Sequence, residues 1–114
     1  MGNINSLRKF EYRPCRLATG FNVDFVAEGE AIHGVCKDVS DAGIRAEFDG
    51  SVTVGSSGLL ILRHPTGILK LVARVAYCEK YQVGLEFLLD TPSERRMTSD
   101  FIAAISTTLT IVDL

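Results

Sequence analysis

From Leu17 onward, apolar residues recur at every second position in short runs broken by glycine-rich or charged turns, the period of half-buried β-strands. Phe21, Val23, Phe25 and Ala27 alternate with Asn22, Asp24 and Val26, and the Ala27-Glu28-Gly29-Glu30 turn leads into a second strand through Ile32, Gly34, Cys36 and Asp38. Ile44, Ala46 and Phe48 then alternate with Arg45 and Glu47 up to the Asp49-Gly50 stop. After the break at Gly55-Ser56-Ser57-Gly58, the dense run Leu59 to Arg63 predicts a buried strand. His64-Pro65-Thr66-Gly67 supplies hairpin chemistry, and Leu69, Leu71, Ala73, Val75 and Tyr77 mark a long strand that turns at Glu79-Lys80 into Tyr81 to Leu88. Short strands joined by turns, with no strand–helix alternation, predict an all-β fold: a six-stranded antiparallel barrel, whose closure removes free edges. Phe21, Val23, Phe25, Ile44, Ala46, Leu60, Leu71, Val75, Leu85 and Phe87 are the expected interior.

The period changes near residue 92. Thr91-Pro92-Ser93-Glu94 combines a capping threonine, proline at the first helical position and glutamate at the third, and so predicts a C-terminal helix. Met97, Phe101, Ile105, Leu109 and Val112 form one apolar stripe, suited to packing on the barrel or to a dimer seam. Thr107, Thr108 and Thr110 weaken the last turns, so fraying or extended chain is expected after Ser106. Residues 1–12 keep no steady apolar period and are expected to be a flexible arm before a barrel domain of residues 13–114.

At 114 residues the chain holds one core, and 46% hydrophobic with 23% charged residues describes an ordinary globular protein. No apolar run is long enough to cross a bilayer, so no membrane insertion is expected. A net charge of −2 argues against DNA or RNA as a partner, because affinity for a polyanion needs many Lys and Arg. A small anion needs only a local cluster, and Arg8, Lys9, Arg13 and Arg16 provide one, interleaved with Phe10 and Tyr12. Three cysteines without paired spacing suit a reducing, cytoplasmic setting, and His33 and His64 show no zinc-like spacing, so neither metal nor cofactor is implied.

The chemistry concentrates at Asp38-Val39-Ser40-Asp41-Ala42-Gly43, which stands 22 residues after Arg16. In extended chain Asp38 and Ser40 point the same way, and Gly43 permits a positive-φ turn into the next strand. A carboxylate accepts the N–H donors of guanine's Watson–Crick edge, and Ser40 can support it. An arginine fork complements this by binding phosphate or the guanine O6/N7 edge. The pairing of Tyr12-Arg13-Pro14-Cys15-Arg16 with Asp38-x-Ser40-x-x-Gly43 resembles the PilZ domain family, whose motifs are Arg-x-x-x-Arg, often with a doubled first arginine, and Asp/Asn-x-Ser-x-x-Gly. The second motif is complete, and Arg13 falls on the second residue of the doubled arginine, while Tyr12 replaces the first. Gly84-Leu85-Glu86-Phe87 matches the family's last barrel strand.

The resemblance implies a bacterial receptor for cyclic di-GMP, with Tyr12, Arg13, Arg16, Asp38, Ser40 and Gly43 as ligand-binding residues. Cyclic di-GMP is then a regulatory ligand, relayed by conformational change to an unknown downstream protein, with the chain a monomer or weak homodimer. Ser40 has no histidine at a suggestive position, and no acid–base carboxylate pair stands out, so no catalytic residue is named and no enzyme is expected. The rival reading is an interaction domain that keeps the barrel without the ligand. Tyr12 motivates it, since tyrosine has a stacking face but no cation or bidentate fork.

Overall fold

The alternating runs form strands close to where the pattern places them, in a computed structural model that describes residues 17–113 and the side chains of residues 17–107. The elements are β1 (Leu17–Ala18), β2 (Asn22–Ala27), β3 (Glu30–Val39), β4 (Gly43–Phe48), β5 (Ser57–His64), β6 (Gly67–Glu79), β7 (Gln82–Phe87) and helix α1 (Pro92–Asp113). Strands β3, β2, β5, β6, β7 and β4 pair antiparallel in that order, and a β3–β4 ladder closes the six-stranded barrel. The two-residue β1 continues beyond β2 along the same edge of β3. The expected flexible arm of residues 1–12 lies outside the described residues.

Inside the barrel lie all ten expected core residues, joined by Cys36, Val39, Leu62, Leu69, Ala73 and Val83. Asp24 departs from the pattern. It occupies an outward position on β2 yet is only 8% exposed, because Arg63 Nε donates to its Oδ2 at 2.9 Å and the His33 ring meets its Oδ1. Burial pushes the Asp24 carboxyl up, but the hydrogen bonds from Arg63 and His33 outweigh it and hold the group below its ordinary value. The last hairpin also shifts by one residue. Glu79 pairs with Gln82, so the turn is Lys80-Tyr81, with Lys80 at φ 52°, and β7 is shorter than the expected Tyr81 to Leu88.

The helix starts as its capping sequence dictates. Glu94 N–H donates to Thr91 Oγ1 at 3.1 Å, while Glu94 Oε1 accepts the N–H groups of Asp90 and Thr91 at 2.8 and 3.1 Å. Those two backbone donors hold the Glu94 carboxyl below its ordinary value. Of the stripe, Phe101 and Ile105 are buried on the barrel, whereas Met97 stays 47% exposed, because the buried face of α1 runs through Thr98, Phe101 and Ile105 and leaves Met97 beside it. The side chains of Leu109 and Val112 lie outside the described residues. The expected loss of helix after Ser106 does not occur: the backbone stays helical to Asp113, and Thr107 Oγ1 donates back to Ala103 O at 3.0 Å, so its hydroxyl is satisfied inside the helix.

An aromatic trio ties α1 to the barrel. The Phe21 ring meets His64 edge-on with centroids 5.3 Å apart, and Phe101 packs against Phe21 at 6.0 Å and His64 at 6.3 Å. Thr66 N–H donates to His64 Nδ1 at 3.1 Å, so this nitrogen carries its lone pair inward to the turn. Burial lowers the His64 pKa from 6.5. The unfolded chain therefore binds the proton more readily, and folding stability falls as the pH drops from about 6.5 toward the lower folded value. Thermal midpoints measured between pH 7.5 and pH 5 should show this loss, and His64→Phe should remove that component; an unchanged pH dependence in the variant would refute it. Phe25→Ala should cost roughly 3–5 kcal/mol in denaturant unfolding, since its ring is fully inside.

Candidate functional site

The site begins with a bulge. Along β3, Cys36 pairs with Ala46 inside the barrel, but the next partner pair is Asp38 with Arg45, so Lys37 is an extra residue. The added residue turns Asp38 to the outer wall, where strict alternation from Cys36 would have kept it inside. Three contacts hold the bulge: Cys36 Sγ to Asp38 O at 3.3 Å, Thr19 Oγ1 donating to Cys36 O at 3.0 Å, and Thr19 N–H donating to Lys37 O at 2.9 Å. None of these was legible from the motif.

Asp38 is buried, and its Oδ2 lies 2.5 Å from Arg45 Nη2. Arg45 was read only as an outward residue of a strand, yet it is the nearest described cation to the motif carboxylate, and 40% of its side chain remains exposed. The signal that could have found it is its place two residues after Gly43, on the outward parity of β4. Its Nε is buried with no hydrogen-bond partner among the described residues. From Arg45 the register continues to Gly84 on β7 and Tyr77 on β6. A Cβ at Gly84 would lie 2.1 Å from the Tyr77 ring, so the glycine gives that ring its seat on the wall. Carboxylate, guanidinium and phenol ring thus follow one another across four strands spaced about 5 Å apart.

Ser40 and Gly43 act differently from expectation. Ser40 is buried, its Oγ accepts Ala42 N–H at 3.2 Å and its N–H donates to Gly43 O at 2.9 Å, so the hydroxyl shapes the turn after β3. Gly43 does not adopt the expected positive φ. It is required for a different reason, because a Cβ there would come 2.2 Å from Leu85 O on β7. Strand β1 brings the chain to this corner: Leu17, which follows Arg16, pairs with Val39, and Ala18 pairs with Asp38. Tyr12, Arg13 and Arg16 themselves lie outside the described residues. Among the described residues, no group of three or more His, Cys, Asp or Glu forms a metal site, and no helix is long and apolar enough to cross a membrane.

The PilZ domain family model matches residues 7–104, and the chain belongs to that family. Its barrel is similar to the PilZ domain of CeSA from a cellulose-synthesizing bacterium, at TM-score 0.69 and 14% identity over 80% of this chain and 97% of that one. It is equally similar to the PilZ domain of Escherichia coli YcgR solved with c-di-GMP, at TM-score 0.69 and 13% identity over 82% of this chain and 90% of that one. The Bacillus subtilis inhibitor of motility, MotI/DgrA, gives TM-score 0.64 and 22% identity over 82% of this chain, which spans 50% of that protein. No curated protein sequence matches the chain. PilZ domains are regulatory binding modules, a class consistent with a wall of recognition groups at this corner.

Gly43→Ala should push β4 away from β7 and destabilise the fold by roughly 1–3 kcal/mol, read as a lowered denaturation midpoint. An unchanged midpoint would show that the Leu85 carbonyl is not in the way.

Proposed function

We propose that the chain is a receptor domain for cyclic di-GMP, relaying the bound state to a partner protein. The observation that carries this reading is the bulge that turns Asp38 onto the outer wall beside Arg45, at the corner where β1 follows Arg16 into the sheet. Asp38 accepts the guanine N1–H and N2–H donors, and the arginines of the first motif, Arg13 and Arg16, take phosphate or the O6/N7 edge. Tyr77 offers a ring face for stacking, and Arg45, half-exposed and held to Asp38 through Nη2, can swing toward the ligand as the guanine edge takes its place. YcgR's PilZ domain, solved with c-di-GMP, supports the choice of ligand.

A second reading, a protein-interaction domain that has lost the nucleotide, is favoured by two observations. Asp38 already has a cation at 2.5 Å, and Tyr12 replaces an arginine of the first motif. Either way the domain works by binding, and ligand-dependent repositioning of the chain before β1 is how occupancy would reach a partner.

Titration calorimetry with cyclic di-GMP, with cyclic di-AMP as control, separates the two. Saturable binding of the guanine dinucleotide should weaken by about ten- to a hundredfold in Arg16→Ala and Asp38→Ala, as a charge-assisted contact worth roughly 1–3 kcal/mol is lost. No heat and no chemical-shift change at millimolar ligand would hand the case to the interaction-domain reading. Tyr12→Arg, which restores the motif, should raise affinity by about ten- to a hundredfold, in a salt-sensitive manner because part of the gain is attraction to phosphate. No gain in a chain that already binds tightly would mean that Tyr12 stacks productively and another cation covers the phosphate.

A further inference from the structure

Away from the nucleotide corner, strands β3, β2, β5 and β6 present a second outer wall, whose residues fall into cross-strand rows. One row runs Val35, Asn22, Arg63, Ile68; the next His33, Asp24, Ile61, Lys70; the third Ala31, Val26, Leu59, Val72. Val35, Leu59, Ile68 and Val72 are exposed by 36, 38, 58 and 44%, so each of the two outer rows carries a pair of exposed aliphatic side chains. The charges are one-sided. Arg63 and Lys70 lie on these rows with Asp24 as their only carboxylate, although the chain has 14 acidic residues, while Arg74 on the next row is paired with Glu86 at 2.6 Å. Asp24 is buried, paired with Arg63 and in contact with the His33 ring, so these rows show the outside no free carboxylate.

At the centre of the wall the polar groups have fixed geometry. Asp24 takes Arg63 through Nε at 2.9 Å, and nothing among the described residues takes the terminal nitrogens of that guanidinium. A guanidinium anchored by its Nε keeps its outer edge available for a second, bidentate carboxylate. The His33 ring, 73% exposed, flanks the same spot, and a groove lined by Asn22, Asp24, His33, Gly34 and Arg63 runs past it.

We propose that this wall is a docking surface for a partner protein whose contact segment carries an acidic residue between aliphatic ones, the carboxylate meeting Arg63 and its aliphatic neighbours lying on the Val26–Leu59–Val72 and Val35–Ile68 rows. Charge complementarity selects this occupant. A second copy placed face to face would set Arg63 and Lys70 against themselves across a two-fold axis, with no free carboxylate on these three rows to answer them. A nucleic acid would gain few phosphate contacts and bury aliphatic rows against its backbone. A lipid surface rewards apolar side chains gathered at a protruding tip, whereas Val35, Leu59 and Val72 sit within strands around a polar centre and only Ile68 lies beside a turn. The inference is independent of the nucleotide, although β3 carries both His33 of this wall and Asp38 of the other.

The test places the photo-cross-linker benzoylphenylalanine in place of Val72 in the full chain, in the cells that produce it. Support is an adduct with one other protein whose cross-linked peptide contains Asp or Glu flanked by aliphatic residues. Its yield should fall at least about tenfold in Lys70→Glu, an exposed change that leaves the Asp24–Arg63 pair intact, and return when the partner's acidic residue is changed to lysine. An adduct of twice the chain's mass, one with nucleic acid, an adduct indifferent to Lys70→Glu, or no adduct at all would overturn it. So would sedimentation of the purified chain with phosphatidylglycerol vesicles if Val72→Asp abolished it. Repeating the cross-link in Asp38→Ala separates this surface from the cyclic di-GMP reading, since the adduct should persist even where nucleotide binding fails.

Discussion

The one-residue bulge at Lys37 is the constraint on which the candidate site depends. A strand alternates strictly, so inward Cys36 would place Asp38 inside the barrel, where a carboxylate has neither water nor cation. Inserting one residue resolves the conflict: Cys36 and Val39 stay in the core while Asp38 turns out to meet Arg45. The bulge is stitched from two directions, by Cys36 Sγ to the Asp38 carbonyl and by Thr19 to the Cys36 and Lys37 carbonyls. The segment just after the arginine motif and the strand bearing the aspartate are therefore bound into one unit. The position of Thr19, just after β1, and the aim of the Asp38 carboxylate are linked by those contacts.

Close approach of strands is the second requirement. Gly43 lets β4 lie against the Leu85 carbonyl, and Gly84 gives the Tyr77 ring room on the outer wall. Both glycines are needed for what is absent from them, a Cβ, and both belong to strings that mark this family. The helix end of the barrel is held by different means. Phe21, His64 and Phe101 meet edge to face, and the reciprocal Thr91–Glu94 cap fixes where α1 begins.

Much of this was legible in the sequence because period-2 alternation reports burial directly: all ten residues read as interior are buried. The helix start was legible because capping chemistry is local. What escaped depended on partners distant in sequence. Arg45 resembled any outward strand residue until register set it against Asp38, and Asp24 gave no sign of burial until Arg63, 39 residues away, was placed beside it. Gly43 was assigned a turn conformation, when its role is to clear a strand that arrives some forty residues later. The threonines near the C-terminus lowered the expected helix length because propensity counts the residue alone, whereas Thr107 finds an acceptor within the helix.

The two outer walls share strands β3 and β6 but differ in chemistry. One carries a carboxylate, a guanidinium and an aromatic ring in register, groups that suit a planar, hydrogen-bonding, anionic ligand. The other carries aliphatic rows around an anchored guanidinium with no free acid, groups that suit a larger counter-surface. A closed barrel has no free edge through which a partner could add a strand, so recognition has to pass through its walls or its ends. Here α1 packs against the barrel through Phe101 and Ile105, and the walls are where exposed chemistry is concentrated.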